Sequence, residues 1–588
     1  MLKRTINCGE IGVAHVGKNV VVNGWLQKKR NLGGLIFIDV RDRSGLVQAI
    51  FDPEEIEKSA FESIQSIKLE SVIGIKGMVR KRVTENTNMS TGKIEIVAEE
   101  LEIFSPSEDL PFNPFSGQEV DETVRLRYRY LDMRKPEVRE VFELRAKITQ
   151  AVRNFLIEKG FIEVETPYLT KSTPEGARDF LVPSRLNKGR FYALPQSPQL
   201  FKQILMIGGF ERYFQIARCF RDEDLRVDRQ PEFTQIDIEM SFIEQEDIIN
   251  IIEELYVRLF KQISNIDIAS PFPRLPYDEA KARFGSDKPD TRFGMEIQDL
   301  TEQFKNSQIQ IIHNGISKGQ KVLALFLPGG EKLSRSEVDS LKEDFKSIGL
   351  NGFIDFKIVN GDIKSSFSKF LTDEEKSTLI SVGKSDELAM IFTLDQKSCY
   401  DLVGRARLMA ADKFGLIPEG KLNFLWVVDF PFFSYNEEEK RYEAEHHPFT
   451  MPKVEDLDRL ESDKESVHAI AYDLVLNGSE LGGGSIRIHN PDIQKRVFNA
   501  IGLSSDESEA RFGFLLKALK LGAPPHGGIA FGLDRLVWIM AKANSIRDVI
   551  AFPKTTSGIC PLTDAPSPVY ETQLNELGIE VKKNGQDA

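Results

Sequence analysis

The amino-acid sequence predicts an α+β protein of several domains, in which a small N-terminal β-barrel precedes a larger mixed region. Three observations support this fold class. The chain has 588 residues, and a single hydrophobic core rarely grows beyond about 250–300 residues. Residues 1–105 read as short strands separated by turns. Strands and helices mix in the rest of the chain, where no apolar run reaches the roughly 18–20 residues of a membrane span.

The N-terminal region contains five runs rich in β-branched residues, with a helix-like segment between the third and the fourth. This strand count matches an OB-fold, although a generic small β-barrel would show the same periodicity. Lys28, Lys29 and Arg30 precede a turn, and Phe37 and Gln48 lie on the strands that follow. Cations for phosphates, an aromatic ring for stacking and an amide for base edges indicate a surface for single-stranded nucleic acid. Phe37 alone would fit a core position equally well.

Changes in composition divide the remainder of the chain. A proline-rich connector, SPSEDLPFNPFSG, precedes a basic segment with helical periodicity that Gly160 ends, and the next residues, to Pro167, read as a strand. Lysine- and glutamate-rich helices then alternate with strands, without a cluster of convergent polar groups, which predicts an inserted α+β domain away from the site. The predicted boundaries are 1–105 for the barrel, 106–135 for a hinge, 136–285 and 416–588 for the two parts of the main domain, and 286–415 for the insertion.

Charge and cysteine content narrow the class of protein. The net charge of −13 argues against a general nucleic-acid coat protein, but local basic patches could still meet a nucleic acid. The cysteines (Cys8, Cys219, Cys399 and Cys560) lie far apart and form no CxxC pair. The N-terminus lacks a continuous apolar region of the signal-peptide type. We therefore expect a reduced, cytoplasmic setting without a membrane.

Three separated blocks carry candidate chemistry, and the first is the amphipathic helix followed by the strand that ends at Pro167. The second is FQIARCFRDED with the returning PEFTQIDIEM, in which Arg221 and Glu223 are predicted on the same side of a strand. Arginine suits bidentate recognition of phosphate. Asp237 and Glu239 alternate along the return strand, which indicates a sheet face lining a wet cavity. A solvated hairpin tip with ion pairs is the alternative interpretation.

The third block is GGIAFGLDRL, residues 527–536. Glycines placed after a strand would let a ligand approach the backbone, and Arg535 would open a helix. The pattern is neither a P-loop nor a dinucleotide-binding fingerprint, so the common nucleotide-binding folds are not supported. Each block is a weak signal by itself.

Together, and in this order, the three blocks resemble the three signature motifs of class II aminoacyl-tRNA synthetases. The resemblance implies an antiparallel catalytic sheet with flanking helices, a homodimer formed through motif 1, and ATP bent around Mg²⁺. By resemblance, Arg221 would hold the α-phosphate and the amino-acid carboxylate, and Arg535 the γ-phosphate. Glu223 would face the adenine amino group and Phe233 would stack on the ring. The remaining ATP contacts that it implies are Asp222, Gln230, Glu480, Gly532, Leu533 and Asp534.

The resemblance extends to the aspartyl, asparaginyl and lysyl subgroup, whose members carry an OB-fold before motif 1. The stretches STPEGARD (172–179), QSPQLFK (196–202) and GGGSIRIH (482–489) resemble the bacterial aspartyl family, as does the insertion between motifs 2 and 3. This implies a ligase that converts L-aspartate and ATP to aspartyl-adenylate and pyrophosphate, then transfers the aspartyl group to the 3′-terminal adenosine of tRNA(Asp). The aspartate contacts that it implies are Glu175, Gln199, Lys202, Arg221, Asp237, His446 and Arg487; the Mg²⁺ ligands are Asp473 and Glu480.

The residue types support aspartate as the substrate. A side-chain carboxylate needs desolvated cations, which Lys202 and Arg487 supply, and Asp237 could pair with and orient them. A lysine pocket would need acidic groups at those positions, and an asparagine pocket would not favour two cations. A non-catalytic RNA-binding relative is a further alternative, but such proteins typically lose the motif 2 or motif 3 arginine. His446 is preferred over His447 as the pocket contact, although either histidine could be structural.

The resemblance assigns anticodon reading to the barrel. Phe37 would stack on the middle base, Gln48 would read its edge, and Glu95 would read the first base. Leu32 resembles the form that charges tRNA(Asp) alone, whereas the relaxed form, which also charges tRNA(Asn), often carries histidine at this position.

Overall fold

The computed structural model describes residues 1–173, 176–226, 228–384 and 386–582. The chain divides into two compact units, Met1–Arg139 and a second that begins at Glu140. Among the helices in the described ranges, none combines the length and the apolar character needed to cross a membrane.

The first unit is built around a closed barrel of five strands, in which the third and the fifth strand along the chain are neighbours. Alternate side chains of the first strand, such as Val20, Val22 and Leu26, point into the barrel core, as expected for a strand with one wet face. The predicted strands and the intervening helix are confirmed. Their bounds are β1 (Asn19–Leu32), β2 (Leu35–Asp42), β3 (Gly45–Phe51), α1 (Lys58–Ser66), β4 (Val72–Lys81) and β5 (Ile94–Ser105).

The segment after the barrel differs in part from its prediction. The single basic helical stretch is broken into α2 (Glu122–Arg127), α3 (Arg129–Asp132) and α4 (Pro136–Glu158). Proline can begin a helix, but its ring clashes with a preceding helical turn, so Pro136 starts a new helix. The strand predicted up to Pro167 is confined to β6 (Ile162–Glu163). Beyond it, the Thr166 amide donates to the Gln215 side chain instead of to a neighbouring strand.

The second unit continues with helices and strands that lead to the insertion. Two of its helices, Gln199–Ile207 and Gln245–Ser264, are strongly amphipathic, because apolar residues recur every three or four positions and face the core. The bounds are β7 (Leu181–Pro183), β8 (Phe191–Ala193), α5 (Gln199–Ile207), β9 (Arg212–Phe220), β10 (Glu232–Ser241), α6 (Gln245–Ser264), β11 (Arg274–Pro276) and α7 (Tyr277–Phe284).

The insertion forms its own sheet, in which the central strand sends alternate apolar residues to opposite faces. Leu323, Leu325 and Leu327 join one hydrophobic cluster, and Val322 and Phe326 join the other. The helices and strands that the sequence predicts here are present. The bounds are β12 (Gln298–Asp299), α8 (Gln310–Ser317), β13 (Lys321–Pro328), α9 (Arg335–Ser347), β14 (Phe353–Val359), β15 (Asp362–Lys364), α10 (Asp373–Val382), β16 (Glu387–Leu394) and α11 (Cys399–Lys413).

The chain then returns to the main sheet. The bounds are β17 (Phe424–Val428), β18 (Phe433–Asn436), β19 (Arg441–Ala444), β20 (Ala471–Leu476), β21 (Ser479–Ile486), α12 (Pro491–Ala500), α13 (Ser505–Leu519), β22 (His526–Gly532), α14 (Leu533–Ala541) and α15 (Glu571–Leu577). The strand order is β11-β17-β20-β21-β22-β10-β9-β6 over the described residues. Neighbours are antiparallel except at the two edges, where β11–β17 and β6–β9 are parallel.

The two faces of β10 explain where the site lies. Ile236, Ile238 and Met240 join the apolar core that includes α4 and α6. The alternate residues, Asp237 and Glu239, are carried on the opposite face because successive strand residues point to opposite sides. The amphipathic pattern of one strand thus separates a structural core from a polar cavity.

Candidate active site

Four buried charged side chains form a compact ionic cluster on the polar face of the main sheet. The Lys202 Nζ atom lies 2.9 Å from Asp237 Oδ1 and 3.1 Å from Glu239 Oε2. The Arg487 Nε and Nη2 atoms donate to the two Glu239 oxygens at 3.0 and 3.1 Å. Each of these side chains is at most 2% exposed. Lys202 and Arg487 therefore converge, as the sequence predicted.

Glu239 is the member of this cluster to which the sequence analysis gave no role. It bridges the two cations, and its pKa is lowered: burial opposes ionisation, but Arg487 and Lys202 together outweigh it. Burial raises the pKa of Asp237, and Lys202 opposes that rise. The alternation of Asp237 and Glu239 was visible in the sequence, but alternation cannot say which acid bridges the cations.

The backbone opposite Glu239 is adapted to its carboxylate. Gly528 on β22 pairs with Glu239 in the sheet, and a Cβ atom at Gly528 would lie 1.8 Å from Glu239 Oε2. The sequence analysis predicted that the glycines of residues 527–536 follow a strand. Gly527 and Gly528 in fact lie within β22, where Gly528 leaves room for the Glu239 side chain, whereas Gly532, the predicted nucleotide contact, lies at the end of β22 and lines a cavity described below.

The two adjacent histidines take different positions. His447 Nε2 lies 2.8 Å from Arg487 Nη1 and accepts its hydrogen bond. Burial and the Arg487 charge lower the pKa of His447 well below its ordinary value, so its ring is neutral. His446 Nε2 lies 3.5 Å from Asp473 Oδ1. Both rings line the cavity next to the ionic cluster.

That cavity has a volume of about 400 Å³ and is lined by Lys202, Asp237, Arg487 and Gln199 among others. The Gln199 side chain is 5% exposed, and its Nε2 atom has no hydrogen-bond partner among the described residues. Glu175, which the sequence also assigned to this pocket, lies outside the described residues. The cavity therefore offers buried cations and an unpartnered amide donor to a small ligand.

A second cavity of about 200 Å³ adjoins the first. Arg221 and Glu480 line both cavities, so the two spaces are contiguous at these side chains. The Arg221 guanidinium lies 5.1 Å from the centre of the Phe233 ring. The other predicted nucleotide contacts that line the second cavity are Glu223, Gln230, Gly532, Asp534 and Arg535.

The position of Arg221 and Glu223 corrects one prediction. The sequence placed both residues on one side of a strand, but β9 ends at Phe220, and both residues lie in the loop beyond it. The loop nevertheless directs both side chains to the same cavity. Glu223 pairs there with Arg229 at 3.1 Å.

Four of the other predicted nucleotide contacts have structural partners. Asp534 accepts hydrogen bonds from Arg145 at 2.6 Å and from the Thr234 amide at 2.8 Å. The Gln230 side chain exchanges hydrogen bonds with the backbone of Lys554. Leu533 is buried in the core, and the Asp222 amide donates to the Arg178 carbonyl at 3.1 Å. Asp222 and Leu533 are absent from the described lining of the second cavity.

Asp473 and Glu480 lie on the neighbouring strands β20 and β21 and line the first cavity. Burial and the charge of Asp473 raise the pKa of Glu480. Arg535 donates from Nη1 to the Glu480 carbonyl, and its Nη2 lies 3.6 Å from Asp228. No group of three or more His, Cys, Asp or Glu side chains in the described part of the chain could hold a metal ion.

On the barrel, Gln48 and Glu95 belong to one hydrogen-bonded network. Gln48 donates to Glu95 at 2.9 Å and accepts from Arg30 at 3.1 Å, and Arg80 donates to Glu95 at 2.9 Å. Phe37 is half-buried on β2, in the register opposite Arg30. These residues form a polar patch with an aromatic ring beside it.

The basic residues before the barrel turn differ in their contacts within the chain. Lys29 Nζ donates to the carbonyls of Ile64, Gln65 and Ile67, where it caps the end of α1. Arg30 pairs with Asp39 at 3.3 Å. Of the predicted phosphate-binding cations in this segment, Lys28 has the exposed side chain.

Comparison with known proteins places this geometry in a family. Residues 121–556 match the class II tRNA synthetases (D, K and N), and residues 20–104 match the OB-fold nucleic acid binding domain. Among solved structures, asparaginyl-tRNA synthetase from Pyrococcus horikoshii complexed with asparaginyl-adenylate covers 94% of this chain at 20% identity, with a TM-score of 0.60 and 99% of its own length covered. At that identity the likeness shows the fold alone.

Curated relatives are much more similar. The aspartate–tRNA(Asp/Asn) ligase of Caldanaerobacter subterraneus is 52% identical over 99% of this chain and 98% of its own length. The aspartate–tRNA ligase of Clostridium botulinum (strain Loch Maree) is 49% identical over 98% of each chain. Full-length similarity of this degree, an OB-fold barrel and a sheet that carries the three motifs lead to one conclusion: the chain belongs to the aspartate–tRNA ligases, within the class II tRNA synthetases (D, K and N).

Proposed function

We propose that this chain activates L-aspartate with ATP and transfers the aspartyl group to the 3′ end of tRNA(Asp). Membership of class II implies the use of ATP. One observation carries the proposal: Arg221 lines the cavity that holds Lys202 and Arg487, and it also lines the adjoining cavity that holds Phe233 and Arg535. Two contiguous spaces suit an amino acid beside a nucleotide.

The first cavity suits a ligand with a second carboxylate. Lys202 and Arg487 are desolvated, so their charges act in a medium of low polarity and attract an anion strongly. Asp237 and Glu239 pair with the two cations and hold their side chains in place. A lysine side chain would bring a third cation next to Lys202 and Arg487, and an asparagine amide would offer these cations no charge.

The reaction requires positioning rather than a covalent enzyme intermediate. An oxygen of the aspartate α-carboxylate attacks the α-phosphorus in line; the new O–P bond forms as the bond to the pyrophosphate oxygen breaks. Arg221, at the junction of the cavities, stabilises charge on the phosphate oxygens, and Arg535 holds the far end of the polyphosphate. The tRNA hydroxyl then attacks the carbonyl carbon of the adenylate and AMP leaves.

Asp473 and Glu480 fit a Mg²⁺ ion. Carboxylate oxygens are its preferred protein ligands, and the unfavourable proximity of the two acids would be relieved by a divalent cation. Because two carboxylates do not complete an octahedral shell, phosphate oxygens and water would supply the other ligands. Bound there, the ion would supply neutralisation of polyphosphate charge.

We also propose anticodon reading by Phe37, Gln48 and Glu95, and a homodimer formed through motif 1. Relatives of about 50% identity carry two names, aspartate–tRNA ligase and aspartate–tRNA(Asp/Asn) ligase. Leu32, which is 60% exposed in the barrel hairpin, favours charging of tRNA(Asp) alone. Aminoacylation of purified tRNA(Asp) and tRNA(Asn) tests this choice; comparable rates with both tRNAs would overturn it.

The amino-acid assignment is tested by ATP–pyrophosphate exchange with aspartate, asparagine and lysine offered separately. We expect exchange with aspartate and a loss of at least about a thousandfold in kcat/KM for aspartate in Arg487→Leu, because a buried charge-assisted contact is worth several kcal/mol. Arg441→Leu is the matched control, since Arg441 is about half exposed and pairs with surface glutamates. Exchange that prefers asparagine or lysine would refute the proposal.

A further inference from the structure

The segment that leads from α7 into the inserted domain reaches the active site. Asp287 lines the first cavity, the one next to the ionic cluster. The next residue, Lys288, places its Nζ atom 3.4 Å from Asp287 Oδ2 and 3.8 Å from Glu480 Oε2, so that it lies between the two acids. Glu480 in turn lines both cavities, and its carbonyl accepts from Arg535. The insertion, which the sequence predicted to lie away from the site, therefore begins with residues that contact it.

A buried arginine of the insertion holds this segment. Arg407 on α11 is 1% exposed, and its guanidinium lies over the rings of Phe284 and Phe293 at 5.1 and 4.1 Å. It donates hydrogen bonds of 2.8–3.0 Å to the backbone carbonyls of Asp290, Phe293, Gly294 and Met295. The planar guanidinium of an arginine presents five N–H donors in a fixed geometry, whereas a lysine carries three donors on one atom at the end of a flexible stem.

The same helix approaches the start of the segment closely. Gly285 has a φ angle of +65°, and a Cβ atom there would lie 2.1 Å from the Tyr400 carbonyl oxygen and 2.7 Å from the Gly404 Cα atom. Gly285 and Gly404 thus bring backbone against backbone at the end of α7. With Arg407 anchoring the residues beyond Lys288, the segment is fixed on both sides.

We propose that Lys288 is a positioning residue for ATP, which orients the Glu480 carboxylate at the nucleotide cavity and is itself held in place by α11 of the inserted domain. This rests on the proposed function. The side chain of Lys288 is 44% exposed, so its pair with Glu480 is screened by solvent and contributes a modest free energy. The pair matters for the orientation of the Glu480 carboxylate as well as for its free energy, because Glu480 also lies beside the negatively charged Asp473. The inserted domain thereby supports the first step of the reaction.

The test compares Lys288→Met with Lys288→Arg and with the matched Lys332→Met, whose side chain is 84% exposed on the insertion. Binding of ATP without amino acid is measured by calorimetry, and KM for ATP and for aspartate by ATP–pyrophosphate exchange. We expect Lys288→Met to raise Kd and KM for ATP about fivefold, the effect of losing about 1 kcal/mol. KM for aspartate should change less than twofold, Lys288→Arg should restore ATP binding, and Lys332→Met should match the parent.

The role of α11 is tested by Arg407→Lys, which keeps the charge but loses most of the carbonyl contacts. If Arg407 acts through Lys288, the effects of the two substitutions on ATP binding are not additive in the double variant. Additive effects, or unchanged ATP binding in Lys288→Met, would overturn the inference. Absence of aspartate-dependent exchange in the parent chain would instead overturn the proposed function, because the calorimetry does not depend on the amino acid.

Discussion

At the scale of single residues, Glu239 has the largest role in balancing the buried cations. It contacts both Lys202 and Arg487, and all three side chains are nearly inaccessible to water. Removing one partner of a buried ionic group leaves an uncompensated charge, whereas a surface pair contributes little. The stability of the pocket should therefore depend on this carboxylate.

We expect Glu239→Gln to destabilise the folded protein by about 3–5 kcal/mol, because Lys202 and Arg487 lose their shared anion. Glu246→Gln is the matched control: Glu246 pairs with Arg274 but is 59% exposed. Its loss should change stability by less than about 1 kcal/mol. Thermal unfolding followed by calorimetry measures both variants. Equal shifts in Tm would contradict the bridging role of Glu239.

His447 provides a prediction about pH. Its pKa in the folded protein is lowered by burial and by Arg487, whereas the unfolded chain has a value near 6.5. Below about pH 6.5 the unfolded state takes up a proton that the folded state does not, so stability falls as the pH falls, by at most about 1.4 kcal/mol per pH unit. The window extends from about pH 6.5 down to the lowered pKa. Tm of the parent and of His447→Gln, measured from pH 8 to pH 5, should diverge there, with the parent losing more; parallel curves would exclude this role.

The sequence identified some residues of the site and missed others. Lys202, Asp237 and Arg487 were predicted because a carboxylate ligand needs cations and an orienting anion, and the structure brings them together. Lys288 was not identified, since its contact with Glu480 depends on how the insertion packs against the main sheet. Charge type alone cannot reveal such a contact between segments distant in sequence.

At the scale of helices and strands, β22 shows why glycine stands at particular positions. Gly528 faces Glu239 across the β10–β22 pair, and its φ angle is not in the left-handed region. The need is therefore for space rather than for backbone freedom. Any side chain at Gly528 would displace the carboxylate that bridges the buried cations.

We expect Gly528→Ala to raise KM for aspartate at least about tenfold and to lower stability by about 1–3 kcal/mol, the usual effect of overpacking a core. Gly294→Ala is the control, because a Cβ atom there would meet no other atom within 4 Å. Exchange kinetics and Tm of both variants measure the effects. A normal KM for aspartate in Gly528→Ala would show that Glu239 can move without affecting the pocket.

Most strands and helices were predicted correctly from the local sequence, and the elements that differ from their prediction do so for local reasons. The alternation in the barrel and the capping boxes that begin α9 and α10 specify those elements strongly. The helix before motif 1 is interrupted at Pro136, and Arg221 lies beyond the end of its strand. In both places the pattern of apolar and polar residues continues past the end of the element. A proline ends the first element, and the loop between two strands ends the second.

At the scale of the whole molecule, the chemistry and the proposed anticodon reading belong to different compact units. The residues that line both active-site cavities follow Glu140 in the chain, whereas Phe37, Gln48 and Glu95 lie in the unit that ends at Arg139. The sequence predicts a barrel that ends at 105 and a main domain that begins at 136, whereas the two compact units divide between Arg139 and Glu140. The sequence could not show that residues about 285 positions apart, Lys202 and Arg487, would share one acid, because that contact depends on the sheet order.

This division predicts that Gln48→Ala impairs the transfer of the aspartyl group to tRNA but leaves the activation of aspartate with ATP unchanged. Loss of a side chain that reads a base edge should raise KM for tRNA(Asp) about tenfold, the effect of losing 1–2 kcal/mol of binding. ATP–pyrophosphate exchange should be unchanged, since the cavities proposed for the amino acid and for ATP lie in the other unit. Gln65→Ala is the control, because Gln65 is exposed on α1. Tm must also be measured, since Gln48 is 6% exposed and bonds to Glu95 and Arg30. If Gln48→Ala lowered exchange as much as aminoacylation at an unchanged Tm, the two steps would not be separable in this way and the barrel would take part in adenylate formation.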